Sequence, residues 1–129
     1  VKFGGTQLIL DMTLPMVASP KFLSKMRENA LKYENYLGLD DYNGVSKLMH
    51  GGLKTSWNFD WSKLDLPVLI MTGHHDKVFR IEEDINDLIK KIHNVRRIEI
   101  PECGHLIPLE DPKLFSYHLN GFIGSLKKQ

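Results

Sequence analysis

Leu66-Pro67-Val68-Leu69-Ile70-Met71-Thr72-Gly73-His74-His75-Asp76 and Arg97-Ile98-Glu99-Ile100-Pro101-Glu102-Cys103-Gly104-His105 decide the fold of this 129-residue chain. The apolar run Val68 to Met71 is the pattern of a parallel strand buried on both faces. Ile81, Ile85, Leu88, Ile89 and Ile92 then recur on one face at helical spacing. Glu82, Glu83 and Asp84 fall in the first turn of that helix and Lys90 and Lys91 in its last, the charge order that suits a helix dipole. Arg96 to Ile100 forms a second strand. Asp111-Pro112 opens a final helix, with Asp111 as N-cap and Pro112 at the first helical position. This helix is expected to bury Leu114, Phe115, Leu119, Phe122, Ile123 and Leu126. The order is βαβα, an α/β pattern.

Two parallel strands joined by one crossover helix end on the same edge of the sheet, where functional groups of doubly wound sheets collect. Asp76 follows one strand end and His105 the other, so a carboxylate and an imidazole are expected to meet there. In such a pair the carboxylate fixes the imidazole tautomer, and the other ring nitrogen is left to take a proton and return it. Gly104 allows a tight loop to aim the ring back over the sheet edge. Asp in a strand-to-helix turn is also an ordinary turn residue, and a loop histidine is often merely structural. The joint occurrence at matching strand ends is what singles out Asp76 and His105. A nucleophile is what the pattern lacks: the 75 residues before Asp76 contain no Gly-x-Ser-x-Gly elbow.

Pro67-Val-Leu-Ile-Met-Thr-Gly-His-His-Asp76, Ile100-Pro-Glu-Cys-Gly-His105, and Glu110-Asp-Pro112 with its apolar terminal helix together resemble the C-terminal part of the α/β-hydrolase superfamily. The resemblance implies that Asp76 and His105 are the acid and base of a catalytic triad. It implies that the helical segment before them is a cap, giving a cap or lid region over residues 1–60 and the C-terminal part of the hydrolase core over residues 61–129. The nucleophile and the oxyanion hole would then belong to an N-terminal half that the chain does not contain, and the chain alone would be inactive. A complete enzyme of this kind would be a serine hydrolase acting on a small-molecule ester, amide or related carbonyl compound. The rival expectation is a non-catalytic, hydrolase-derived module that binds another protein.

Before residue 61 the pattern is helical and irregular, with turn signals at Leu14-Pro15, Ser19-Pro20, Asn43-Gly44 and Gly51-Gly52. Ser19-Pro20 is expected to start an amphipathic helix of about four turns, with Phe22, Leu23, Met26, Ala30, Leu31 and Tyr33 on one face. A shorter helix is expected from Tyr42 to His50, stopped by Gly51-Gly52. The aromatic cluster Trp57, Phe59 and Trp61 is expected to pack where cap meets core.

Composition bounds the remaining possibilities. Hydrophobic residues at 42% and charged residues at 26% describe an ordinary globular chain, and a formal charge of +1 gives no reason to expect nucleic acid or a membrane surface as partner. One cysteine cannot form an internal disulfide, which leans toward a cytoplasmic setting. The chain starts at Val1 rather than Met, so upstream sequence is expected. No metal or cofactor is expected, because His74, His75 and Asp76 are consecutive extended residues whose side chains point to opposite sides. Cys103 lies too close in sequence to His105 to serve as its nucleophile and is expected to be an inert buried thiol. Glu110 is expected to act at the N-terminus of the final helix. With only two strands, the apolar strand would lack a neighbour, so the expected partner is either the nucleophile-bearing half or a second copy of the chain.

Overall fold

The computed structural model describes residues 5–32, 39–56 and 59–127. Helices α1 (Gly5–Val17), α2 (Leu23–Lys32) and α3 (Leu39–Lys54) come first, followed by a short 3-10 turn at Trp61–Lys63. Strand β1 (Val68–Gly73), helix α4 (Glu82–Lys91), strand β2 (Val95–Ile100), the one-turn helix α5 (Ile107–Glu110) and helix α6 (Pro112–Leu126) complete the order. β1 and β2 pair in parallel from Val68↔Val95 to Gly73↔Ile100. The βαβα frame expected from the sequence is therefore present, with β1 two residues and β2 one residue longer than expected.

Helix α4 follows its periodicity. Ile85 is buried on the helix, Ile92 is buried just past its end, and Leu88 and Ile89 are half-buried. Ile81 departs from that face: it sits at the N-cap, where the chain is still extended, and is exposed. Arg97 on β2 grips the start of α4, its two terminal nitrogens each 2.8 Å from a carboxylate oxygen of Glu82. That bidentate geometry is the stronger form of the ion pair. At the start of α6 the Asp111 side chain accepts from the Leu114 N–H at 2.9 Å, with Pro112 in the first turn, as the sequence required.

Burial is where expectation and structure part. The strand Val68 to Met71 is half-buried rather than buried on both faces, because among the described residues its sheet holds only β2. On α6, Leu114 and Phe115 pack against the cluster of Ile100, Cys103 and Ile107. Leu119 and Phe122 are half-buried, and Ile123 and Leu126 are exposed, since the later turns run past that small cluster.

The N-terminal segment differs more. Leu14-Pro15 is no turn, for Pro15 lies inside α1. Near a helix end the missing proline N–H removes a single bond, and the Ala18 N–H still closes onto Leu14 O at 2.8 Å. Leu10, Leu14 and Val17 fall at helical spacing and, with Ala18, pack against Met26, Phe22 and Leu23. The expected helix start at Ser19-Pro20 is instead a turn, in which the Phe22 and Leu23 N–H groups both reach Ser19 O, and α2 begins at Leu23. Neither Asn43-Gly44 nor Gly51-Gly52 breaks α3, which continues to Lys54. Glycine permits a left-handed stop without imposing one, and Gly51 does not adopt that conformation. Tyr33 and Trp57 lie outside the described residues.

Two glycines are required by close approach. A Cβ on Gly73 would run into the Gly104 carbonyl and lie 2.5 Å from Cys103 O. A Cβ on Gly104 would run into the Val17 carbonyl and lie 2.8 Å from both Ala18 Cα and Glu110 Oε1. Gly73→Ala is expected to destabilise the chain by about 2–3 kcal/mol, the cost of overpacking against backbone that has little room to yield. Gly121→Ala in α6, where a Cβ meets nothing within 4 Å, should be neutral or stabilise by up to about 1 kcal/mol through helix propensity. Thermal unfolding of the two variants checks the contrast.

Candidate active site

Beyond β1 and β2 the two segments that follow them stay hydrogen-bonded to each other. His74 N–H reaches Ile100 O and His75 N–H reaches Cys103 O, both at 2.9 Å, carrying the pairing past the end of the sheet. Asp76 N–H then turns back to Gly73 O at 3.1 Å. The result brings Asp76 and His105 together at the carboxyl edge: Asp76 Oδ2 lies 2.8 Å from His105 Nδ1. An ionised carboxylate can only accept, so Nδ1 carries the proton and Nε2 of the neutral ring keeps its lone pair.

Asp76 is only 6% exposed. Its other oxygen, Oδ1, accepts the Val78 and Phe79 N–H groups at 3.0 and 2.9 Å. Burial raises the carboxyl pKa, but the Phe79 N–H, His105 and the Val78 N–H together outweigh it and hold the group below the ordinary 3.8. His105 is more open, with 39% of its side chain exposed. Its backbone N–H bonds to Val17 O, and Lys77 N–H bonds to Met16 O, so the end of α1 touches both site loops.

Glu110 departs from its expected place. It does not cap α6; its Oε2 accepts from Gly104 N–H at 3.0 Å and from Ser19 N–H at 3.1 Å. One carboxylate oxygen thus ties the histidine loop to the α1–α2 connection. Nothing in the local sequence signals this, because the three groups meet only through tertiary packing, with Ser19 and Glu110 91 residues apart. Buried Ser19 Oγ and Glu110 Oε1 have no protein partner.

Cys103 is 2% exposed. Burial first, then the nearby Glu110 and Asp111 carboxylates, push its thiol pKa up, away from the thiolate that nucleophilic chemistry needs. His74 points to a different carboxylate from His105, its Nδ1 lying 2.9 Å from Glu99 Oε1. Glu99 also accepts from Arg80 Nε at 3.2 Å. Among the described residues no group of three His, Cys, Asp or Glu side chains is placed to hold a metal ion. Phe59 and Trp61 do not form the expected packed junction: they are exposed, in edge-to-face contact at 5.5 Å. With Asp60, Lys63 and Leu64 they line a cavity of about 530 Å³ whose wall includes neither Asp76 nor His105.

Because the folded-state pKa of Asp76 lies below its ordinary value, the carboxylate's contribution to stability is fully present above about pH 4 and is lost as pH falls through the lowered value. The thermal midpoint should therefore fall as pH is taken from about 5 to about 2, and Asp76→Asn should flatten part of that slope while lowering the midpoint at neutral pH. A slope identical to that of the parent chain would remove Asp76 as a contributor.

No family model matches the chain. A candidate 2-succinyl-6-hydroxy-2,4-cyclohexadiene-1-carboxylate synthase of Bacillus subtilis (strain 168) is 29% identical over 119 residues, covering 88% of this chain and 41% of that protein. The crystal structure of MGS-M2, an α/β-hydrolase enzyme from a Medee basin deep-sea metagenome library, superimposes with a TM-score of 0.72 at 23% identity. That match covers 93% of this chain and 46% of MGS-M2. The chain spans less than half the length of each protein it matches, and it has the fold of the C-terminal part of an α/β hydrolase.

Proposed function

We propose that the chain is the C-terminal portion of a serine α/β-hydrolase acting on an ester, amide or related carbonyl compound, with Asp76 as acid and His105 as base. Residues 1–60 would serve as its cap, and the nucleophilic serine and oxyanion hole would come from sequence outside the chain. The observation that carries this reading is the 2.8 Å contact between Asp76 Oδ2 and His105 Nδ1 at the carboxyl edge of the sheet. In the complete site Nε2 would accept the serine proton as the oxygen attacks the carbonyl, and would then pass it to the leaving group. The buried Asp76 carboxylate would stabilise the imidazolium formed between these steps. The lone buried thiol fits a reducing, cytoplasmic setting.

The name of the Bacillus relative favours a second reading, in which the same base moves a proton in a synthase reaction that forms a carboxylated cyclohexadiene. Product analysis on the complete protein separates hydrolysis from that chemistry. The alternative of a non-catalytic interaction module predicts no dependence of any activity on Asp76 or His105.

The isolated chain should turn over short-chain nitrophenyl esters no faster than its His105→Ala variant, since a base without a nucleophile gives little assistance. In a preparation that includes the nucleophile half, Asp76→Asn and His105→Ala should each lower kcat by about a thousand-fold or more. His74→Ala and Cys103→Ala should stay within a few-fold of the parent. Unchanged kcat in the Asp76 or His105 variant would take that residue out of the mechanism.

The partner is proposed to be that half or a second copy of the chain. Among the described residues β1 pairs only with β2, and Leu66, Ile123, Leu126 and the α3 residues Leu48, Met49 and Leu53 are exposed. Unpaired strand edges and apolar patches of this kind recruit other chains. Light scattering at micromolar concentration should give a dimer or larger species, and a stable monomer with a cooperative thermal transition would refute this assembly.

A further inference from the structure

We propose that Phe79 is a positioning residue for His105, its ring stacked on the imidazole to keep Nδ1 on Asp76 and Nε2 turned toward the reacting atoms. The proposal rests on the acid–base reading above. The two ring centroids lie 4.3 Å apart with 32° between the planes. Phe79 is 62% exposed, so its ring is no part of a core, and it lies against the imidazole.

The arrangement follows from one carboxylate. Asp76 Oδ1 accepts the Phe79 backbone N–H at 2.9 Å, and Oδ2 accepts His105 Nδ1 at 2.8 Å. The same group therefore fixes both the backbone that carries the stacking ring and the ring on which it stacks. A hydrogen bond from Nδ1 sets the distance of the imidazole but leaves it free to swing, because the torsion between an sp3 carbon and a planar ring is broad. A flat group against one face limits that swing. When Nε2 takes a proton the imidazole becomes a cation, and a cation beside an aromatic face is attracted to it. The contact with Phe79 is therefore favourable in both states of the ring, and it holds the same orientation throughout. An aliphatic side chain of similar volume would block motion but would offer no π face.

The test uses the chain itself, labelled with 13C and 15N at its six histidines, the His105 signals being identified by their loss in His105→Gln. In the parent chain the His105 ring protons should be displaced by the ring current of Phe79, and a protected Nδ1–H should be present. Phe79→Leu should abolish the displacement and speed exchange of that Nδ1–H by about two- to five-fold. Phe79→Tyr and Phe79→Trp should retain both features. His105 signals unchanged in Phe79→Leu, or protection restored as well by leucine as by tyrosine, would overturn the proposal while leaving the acid–base pair standing. Asp76→Asn separates the two ideas: it should remove the Nδ1–H protection, and if protection persists the acid–base reading itself fails and takes the proposal with it.

Discussion

The close passage of two backbones at the end of the sheet is the constraint on which the site depends. Gly73 leaves β1 directly against the Gly104 carbonyl, and Gly104 in turn lies against Val17 and Ala18. Neither glycine is there for an unusual dihedral angle; each is there because a methyl group would occupy the space of a carbonyl oxygen. That proximity lets His74 and His75 continue the hydrogen-bond ladder onto Ile100 and Cys103. Asp76 and His105, three and five residues past paired strand ends, are then delivered to hydrogen-bonding distance.

Two carboxylates stabilise that arrangement by different means. Asp76 is buried and gathers three donors, two from its own turn and one from His105. Hydrogen bonds to a charged group contribute about 1.5–3 kcal/mol each, enough to offset the desolvation that would otherwise raise its pKa. Glu110 acts on the backbone: one of its oxygens holds the N–H of Gly104 and that of Ser19. Together with the bonds from His105 N–H to Val17 O and from Lys77 N–H to Met16 O, this makes the α1–α2 connection part of the floor under the candidate base. A displacement of α1 would be felt at both site loops.

The rest of the molecule is less consolidated. One apolar cluster joins α1 and α2 around Leu14, Ala18 and Met26, and another joins β2, α5 and α6 around Ile100, Cys103 and Ile107. Between and beyond them large apolar side chains stay exposed along α3, α6 and the segment before β1. The surface is that of an element set with more apolar area than its described residues can cover.

The sequence by itself determined what depends on neighbours along the chain. The α4 face, the Asp111-Pro112 helix start and the two strands could be read directly, since periodicity and capping are local. The placement of Asp76 and His105 at one sheet edge also followed, because a parallel βαβ unit leaves few other arrangements. Tertiary structure alone decided the continuation of α1 through Pro15 and of α3 through its glycines, where local signals permit a break without requiring one. It decided that Ser19 would donate to Glu110 rather than begin a helix, and that Phe79 would lie on His105. Those contacts join residues far apart in sequence through hydrogen bonds and ring packing, and neither leaves a trace in spacing or composition.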